Sequence, residues 1–444
     1  MRRSSRLRAA RAISLSFAGA VLVGAGLLML PWSTAGVESA SVTTALFTAA
    51  SAVCVTGLAV VDTGTYWSGA GQVIILLLIQ LGGLGLMTVA SLVALTLSGR
   101  LGVRTRLVAQ TETRASRAGD VRRMVRWIVL FSLSFEAVLA AWLTFQQYTT
   151  YGRSFGSAVW WGVFHAVSAF NNAGFSTDAA SLVPYAGQAG ILLPVSLAVI
   201  IGGIGFPVLV ELAGNWRRPS TWTILTRIVV IGTFALLTVS TLLVLVAEWD
   251  NPKTLGALPP GQSVLTAFVI AVMPRTAGFN VIDMAAQNSD TLFLTQILML
   301  IGGGSAGTAG GIKVSTIGVL AFMVWAQARG EQDVNVARRR VPAESQRQAV
   351  MVLGLAAATV TTGSLIALHL TDLPTEAVVF EVISAFSTVG LSLGITPELS
   401  SPVLWLLALL MFIGRTGPVT LAAAFLTQDR GHTYRLPEER TIVG

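Results

Sequence analysis

The chain has 444 residues, 53% of them hydrophobic and only 11% charged, with a mean hydropathy of +0.72. That composition excludes an ordinary soluble domain, and apolar runs reaching the roughly 20 residues that cross a bilayer indicate a polytopic membrane protein. The formal net charge is +8, but the basic residues are divided among membrane flanks, which argues against a nucleic-acid face, and the single cysteine, Cys54, excludes an intrachain disulfide.

The first apolar run, about 13–31, follows Arg2, Arg3, Arg6, Arg8 and Arg11. It is longer than the 7–15 apolar residues of a secretory leader, so it is read as a span, although Ser33-Thr34-Ala35 would suit a peptidase. A run of about 12 residues at 41–52 comes next, then a glycine-bearing block at 53–58 and a second long run at 68–97. The same order restarts near Trp127, Ile224 and Ala349. Four units result: 1–110, 111–218, 219–335 and 336–444. A period this long describes repeated membrane modules rather than solenoid turns. The fold expected is an all-α polytopic membrane protein of four such units in pseudo-fourfold arrangement around a central pore, with eight transmembrane helices and four re-entrant pore half-helices.

The block recurs without insertion or deletion. Its copies run Ser51 to Leu58, Ser168 to Phe175, Val272 to Phe279 and Ser384 to Leu391, each with glycine in the seventh place: Gly57, Gly174, Gly278 and Gly390. A run of about 12 apolar residues cannot cross a bilayer, so each is expected to enter the membrane as a half-helix and hand over to extended backbone. Glycine accepts angles other residues resist, which lets successive carbonyls turn toward one axis, and the half-helix aims the negative end of its dipole at the same place. Four such strands would form a carbonyl ring for a dehydrated monovalent cation. Close helix packing explains any one of these glycines equally well, but does not explain four in register.

A second recurrence lies in the second long run of each unit. Leu81-Gly-Gly-Leu-Gly85, Ile201-Gly-Gly-Ile-Gly205, Ile301-Gly-Gly-Gly-Ser305 and Ile413-Gly-Arg-Thr-Gly417 begin their glycines 25, 28, 24 and 24 residues after the respective block glycine. In the fourth unit Arg415 replaces Gly83, Gly203 and Gly303, and a charge at that depth is a functional hypothesis by default. In the third unit Gly302 to Gly311 places six glycines in ten residues, followed by Lys313. It lacks the Gly-Lys-Ser/Thr ending of a phosphate loop and should instead break the helix into an intramembrane loop.

Charge sets the orientation. Of 29 Lys and Arg, five precede Ile13, eight lie between Arg100 and Arg126, three between Arg217 and Arg227, five between Arg329 and Arg347, and three after Gln428. Those segments are expected to be cytoplasmic, with both termini inside. The links at about 98–124 and 326–347 are too short for an independently folding domain.

With these marks the chain resembles the membrane components of the Trk/Ktr/HKT superfamily of potassium transporters, and is most similar to the KtrB type of bacteria. The Trk type carries two further N-terminal spans; this chain opens on its first unit, which favours the Ktr type. The resemblance implies potassium as the transported ion, sodium as a coupling or activating ion, a homodimer in membrane lipid, and a cytosolic nucleotide-binding regulatory ring of the KtrA or TrkA type. It implies no organic cofactor, no nucleic acid and no enzymatic activity. Carried over, the ion-binding filter falls on Val55, Thr56, Gly57, Asn172, Ala173, Gly174, Thr276, Ala277, Gly278, Thr388, Val389 and Gly390. The gate falls on Gly302, Gly303, Gly304, Ser305, Gly307, Thr308, Gly310, Gly311, Lys313 and Arg415. Glycine at all four filter positions favours potassium. The alternative is a sodium-coupled secondary transporter of another small monovalent cation or polar solute, since glycine-broken helices also build transporter sites.

Arg275, three residues before Gly278, is expected to brace its loop through backbone carbonyls or Asp283. Asn171 and Asn172 are expected to buttress theirs. His165, His369 and His432 form no ligand cluster in the sequence. Glu136 and Glu211 need polar partners that the sequence does not identify.

Overall fold

The computed structural model describes residues 3–36, 38–98, 114–336 and 339–425. The basic cluster after Gln428, His432 and the arginines between Arg100 and Arg106 lie outside the described residues.

The helices follow the order read from the apolar runs. The first quarter holds α1 (Arg3–Leu28), α2 (Val42–Cys54) and α3 (Gly69–Ser98). The second holds α4 (Arg114–Thr149), α5 (Phe155–Phe170), α6 (Ala189–Ile204) and α7 (Phe206–Asn215). Then come α8 (Ile224–Glu248), α9 (Pro260–Val272), α10 (Ser289–Leu300) and α11 (Val314–Ala328), and finally α12 (Ala343–His369), α13 (Thr375–Ser387) and α14 (Ser401–Phe425). A two-residue antiparallel ribbon, Asn335–Val336 with Arg339–Arg340, departs from the all-helical expectation.

Long and short helices differ in what they bury. Phe234 and Val246 on α8 are 74% and 83% exposed, and Leu15, Val138 and Leu365 are exposed on α1, α4 and α12. A protein in water would hide such side chains; in lipid they face their solvent. The short helices α2, α5, α9 and α13 are the opposite, and on α13 every residue from Phe380 to Ser387 is buried. Their starts are encoded locally. Ser41 and Ser154 accept hydrogen bonds from the amides of Thr44 (3.1 Å) and Ser157 (3.4 Å), and Pro260 sits at the first turn of α9, where its missing N–H costs nothing.

Among the described residues α4 from Arg123, α8 and α12 are each long and apolar enough to cross a membrane, and α6 with α7 forms one more candidate bent by 101°. Shorter apolar stretches include Ser14–Leu28, Gly69–Gly85 and Ser401–Gly417. The chain closes on itself: α2 packs against α1, α3 and α14, so the last described helix lies beside the first.

Two helices are broken where the second long run of a unit was expected. The break between α10 and α11 falls on Gly302 to Gly311, where the sequence placed it. The break between α6 and α7 was not expected, and its cause is that same segment. The carbonyl of Ser305 fills the space a Cβ on Gly205 would need, the amide of Phe206 donates to the carbonyl of Ala306 (3.2 Å), and Gly205 turns the chain at φ +102°.

Candidate ion-conduction site

The four block glycines meet. Each short helix is followed by a residue with left-handed backbone: Val55 (φ +57°) and Thr388 (+51°) directly at the end of α2 and α13, Asn172 (+59°) and Thr276 (+67°) a little further past α5 and α9. Two residues later the glycine is again left-handed, at +93° for Gly57, +69° for Gly174, +74° for Gly278 and +98° for Gly390. Two such residues around one ordinary residue reverse the chain tightly, and the non-glycine members hold an unfavourable conformation because surrounding packing imposes it.

The contacts between loops are cyclic. A Cβ on Gly57 would collide with the carbonyl oxygen of Ala173, one on Gly174 with that of Ala277, one on Gly278 with that of Val389, and one on Gly390 with that of Thr56. Each glycine therefore abuts the carbonyl just before the next one, and the fourth returns to the first. Of the residues expected to form a filter, Val55, Thr56, Ala173, Ala277, Thr276, Thr388 and Val389 are all fully buried. In the first and fourth loops the leading serine of the block fixes the turn, since Ser51 and Ser384 hydroxyls accept from the amides of Gly57 (3.0 Å) and Gly390 (3.1 Å). The sequence showed these serines as part of the repeat but not that role.

All four glycines line one cavity of about 390 Å³, which also reaches Asp62, Asp178 and Asp283. Asp178 accepts from Arg153 at 2.9 and 3.0 Å, from Trp161 at 2.7 Å and from Tyr185 at 3.1 Å. Partial burial opposes its ionisation, but the hydrogen bonds from Arg153 and Trp161 outweigh burial and hold the carboxyl below its usual range.

Below the loops lies the glycine-rich segment, and it is anchored rather than loose. Gly302 donates to the carbonyl of Ile312 (2.9 Å), Gly304 to Gly203 (2.7 Å) and Thr308 to Gly202 (3.1 Å). Ser305 and Ser315 hydroxyls pair at 2.7 Å. A Cβ on Gly303 or Gly307 would press on the carbonyl of Gly203, and one on Gly310 on the hydroxyl of Thr388. Two cations clamp adjacent carbonyls: Arg415 donates to Thr308 and Lys313 to Ala309. Arg415, 1% exposed, also reaches the carbonyl of Gly82 on α3 at 3.3 Å. The Thr308 hydroxyl donates to Asn172 Oδ1 at 3.1 Å, so this segment touches the second glycine loop directly.

Asn171, Glu136, Glu211 and Arg275 all find polar partners. Asn171 donates to Glu136 (3.0 Å) and to Gln80 (2.9 Å), and Gln80 donates to both oxygens of Glu136 at 3.1 Å, which ties α3 and α4 to the end of α5. Gln80 had no signal in the sequence beyond its polarity. Glu211 accepts from the amide and hydroxyl of Thr223, both at 2.7 Å, and from the hydroxyl of Thr226. Arg275 departs from expectation: it donates to the Thr233 hydroxyl on α8 at 3.1 Å, while Asp283 accepts from the amide of Ala285 at 3.0 Å. Buried from solvent, Arg275 braces its loop against a neighbouring helix rather than through a carboxylate.

Residues 21–433 match the TrkH family model, described as a cation transport protein. The chain is 39% identical over 441 residues to Ktr system potassium uptake protein B of Bacillus subtilis, covering 97% of this chain and 96% of that protein. It is 33% identical over 450 residues to the potassium/sodium uptake protein NtpJ of Enterococcus hirae, covering 99% and 98%. The crystal structure of the potassium transporter TrkH from Vibrio parahaemolyticus shares its fold with a TM-score of 0.73 at 20% identity, over 95% of this chain and 84% of that one. These relatives are transport proteins, not enzymes, and this chain is a multi-pass membrane protein that belongs to the TrkH family of cation transport proteins.

Proposed function

We propose that this chain is the membrane component of a potassium uptake system in a bacterial cytoplasmic membrane. The observation that supports this most is the closed cycle of four glycines, each seated on the carbonyl preceding the next, at the floor of one carboxylate-rimmed cavity. A dehydrated monovalent cation needs oxygen ligands in place of water, and a ring of backbone carbonyls supplies them without a protein charge. In this reading each quarter of the chain is a long helix, a pore half-helix and a second long helix. The units are 1–110, 111–218, 219–335 and 336–444, in pseudo-fourfold order with eight spans and both ends cytoplasmic.

The filter is then Val55 to Gly57, Asn172 to Gly174, Thr276 to Gly278 and Thr388 to Gly390. Gly302 to Gly311, Lys313 and Arg415 form a gate on its cytoplasmic side, where two fixed cations oppose a passing one at a few kcal/mol each in a partly hydrated path. The partners proposed are a second copy of this chain and a cytosolic nucleotide-binding ring, as in Ktr and Trk systems.

A second reading, a sodium-coupled secondary transporter, is favoured by the potassium/sodium naming of the Enterococcus relative. Rubidium uptake into proteoliposomes, competed by potassium or sodium at imposed voltage, separates the two. Uptake that potassium blocks and that proceeds without sodium supports the conductive pathway; strict dependence on a sodium gradient supports the symporter; no uptake overturns both.

A further inference from the structure

Nine residues before each filter glycine stands a pore-helix position behind the filter: Thr48, His165, Val269 and Glu381. Two of the four are titratable, and they belong to the second and fourth loops, which do not touch one another in the cycle of glycine contacts. Both groups are buried, His165 fully and Glu381 at 1% exposure. Both reach the same place in their own unit, the serine two residues beyond the filter glycine.

In the second unit the chain of hydrogen bonds can be directed. His165 Nδ1 lies 2.9 Å from the carbonyl oxygen of Trp161, which can only accept, so Nδ1 bears the proton and Nε2 is an acceptor. The Ser176 hydroxyl, 3.0 Å from Nε2, therefore donates to it, while accepting from the amide of Asp178 at 3.0 Å. In the fourth unit the amide of Gly394 donates to the Ser392 hydroxyl at 3.0 Å; Ser392 and Thr396 hydroxyls lie 3.1 Å apart, and Thr396 donates to Glu381 Oε1. The Thr396 hydroxyl thus lies between the two, facing Ser392 on one side and Glu381 on the other, and joins the serine to the pore-helix carboxyl. Each strut thus links a serine hydroxyl that accepts from a backbone amide of the outer loop to a polar group on the pore helix, directly in the second unit and through Thr396 in the fourth. The first and third units have Ala59 and Asn280 at the serine position, and the Thr48 hydroxyl has no hydrogen-bond partner among the described residues.

We infer that His165 and Glu381 are positioning residues which, through Ser176 and Ser392, hold the outer ends of two opposed filter loops and so set the preference among monovalent cations. The inference rests on the carbonyl filter proposed above. A loop tied on both sides of its glycine keeps its carbonyls at fixed spacing; one freed on the outer side can shrink around a smaller ion. The filter is then fourfold in its glycines but twofold in its supports.

The test measures the rubidium-over-sodium uptake ratio in proteoliposomes for His165→Leu, Ser176→Ala, Glu381→Leu and Ser392→Ala, with His165→Gln and Glu381→Gln as variants that keep an acceptor. Ser176→Ala and Ser392→Ala remove one partly exposed hydroxyl each and should fold normally. The expected result is a ratio lowered about fivefold, the worth of roughly one hydrogen bond, in each leucine or alanine variant, and a ratio near wild type in both glutamine variants. His165→Leu combined with Ser176→Ala should be no worse than either alone. A wild-type ratio in both serine variants overturns the inference while leaving the filter standing. Absence of rubidium uptake in the wild type would instead remove the filter reading itself.

Discussion

Arg415 on the last described helix donates a hydrogen bond to the carbonyl oxygen of Thr308, and the Thr308 hydroxyl reaches Asn172 at 3.1 Å. A buried cation is thereby linked through one threonine to a residue of the proposed filter. The guanidinium holds the glycine-rich segment in place, and in the proposed gate its charge would also oppose a passing ion. Arg415→Ala removes both effects, whereas Arg415→Lys keeps the charge but cannot bridge Thr308 and Gly82 together. If holding the segment closes the path, both substitutions raise rubidium uptake, by about tenfold for the loss of one charge-assisted hydrogen bond. If charge alone closes it, only alanine does. Deleting Ser305 to Ala309 should raise uptake as well, and Arg415→Ala in that background should add little. Loss of all uptake in every variant, at normal assembly, would show that the segment supports the fold instead of gating it.

The glycine cycle makes a sharper claim. A side chain at Gly174 or Gly278 would have to adopt left-handed backbone and would push directly on the carbonyl of Ala277 or Val389. Gly174→Ser and Gly278→Ser should each lower the preference for potassium over sodium by about tenfold or more, the scale of 1–3 kcal/mol of displaced backbone. Competition of rubidium uptake by the two ions reads the ratio. An unchanged ratio in both, at matched expression, would reduce these glycines to packing residues.

Much of this site was legible because it depends on backbone. Glycine at a fixed spacing announces a conformation, and the four blocks, the broken third-unit helix and Arg415 were all visible from spacing alone. What was hidden depends on side chains meeting across long separations. Gln80, Glu136 and Asn171 are 91 residues apart at the extremes, and no local periodicity marks them as one network. Arg275 illustrates the limit: Asp283 was the nearest candidate in sequence, but Thr233, 42 residues away, is the partner because α8 packs against α9. The break at Gly205 was missed for a similar reason, since its cause lies in the third unit. One further glycine in a membrane helix reads as packing until the carbonyl of Ser305 is found against it.

The outer mouth should be sensitive to acid. Against the opposing effect of partial burial, Arg153 and Trp161 hold the Asp178 carboxyl below its ordinary value near 4. A depressed folded-state pKa contributes stability that is complete above the unfolded value and is lost as pH falls through the folded one. Thermal unfolding of the purified protein between pH 6 and pH 3 should therefore show a falling midpoint below about pH 4. Asp178→Asn should start lower at pH 6 and fall less steeply. Equal slopes for the two proteins would assign the acid sensitivity to other carboxylates.

Sidedness follows from the distribution of arginine and can be read with single cysteines. Cys54 is buried, so replacing it with alanine gives a silent background for labelling. Gln188, exposed at the start of α6, lies in a link that carries none of the basic clusters; Gln332, exposed between α11 and the Asn335–Val336 strand, lies among Arg329, Arg339 and Arg340. Retention of short basic segments in the cytoplasm predicts that Gln188→Cys reacts with an impermeant thiol reagent in intact cells, and that Gln332→Cys reacts only after the membrane is opened. The two positions lie on opposite sides only if the chain crosses the bilayer an odd number of times between them. In the eight-span arrangement that number is three, made by the broken helix α6–α7, by α8, and by α10 with α11. Labelling of Gln332→Cys from outside would require one of these to turn back within the membrane, and α10–α11, interrupted for the whole length of Gly302 to Gly311, is the one able to do so.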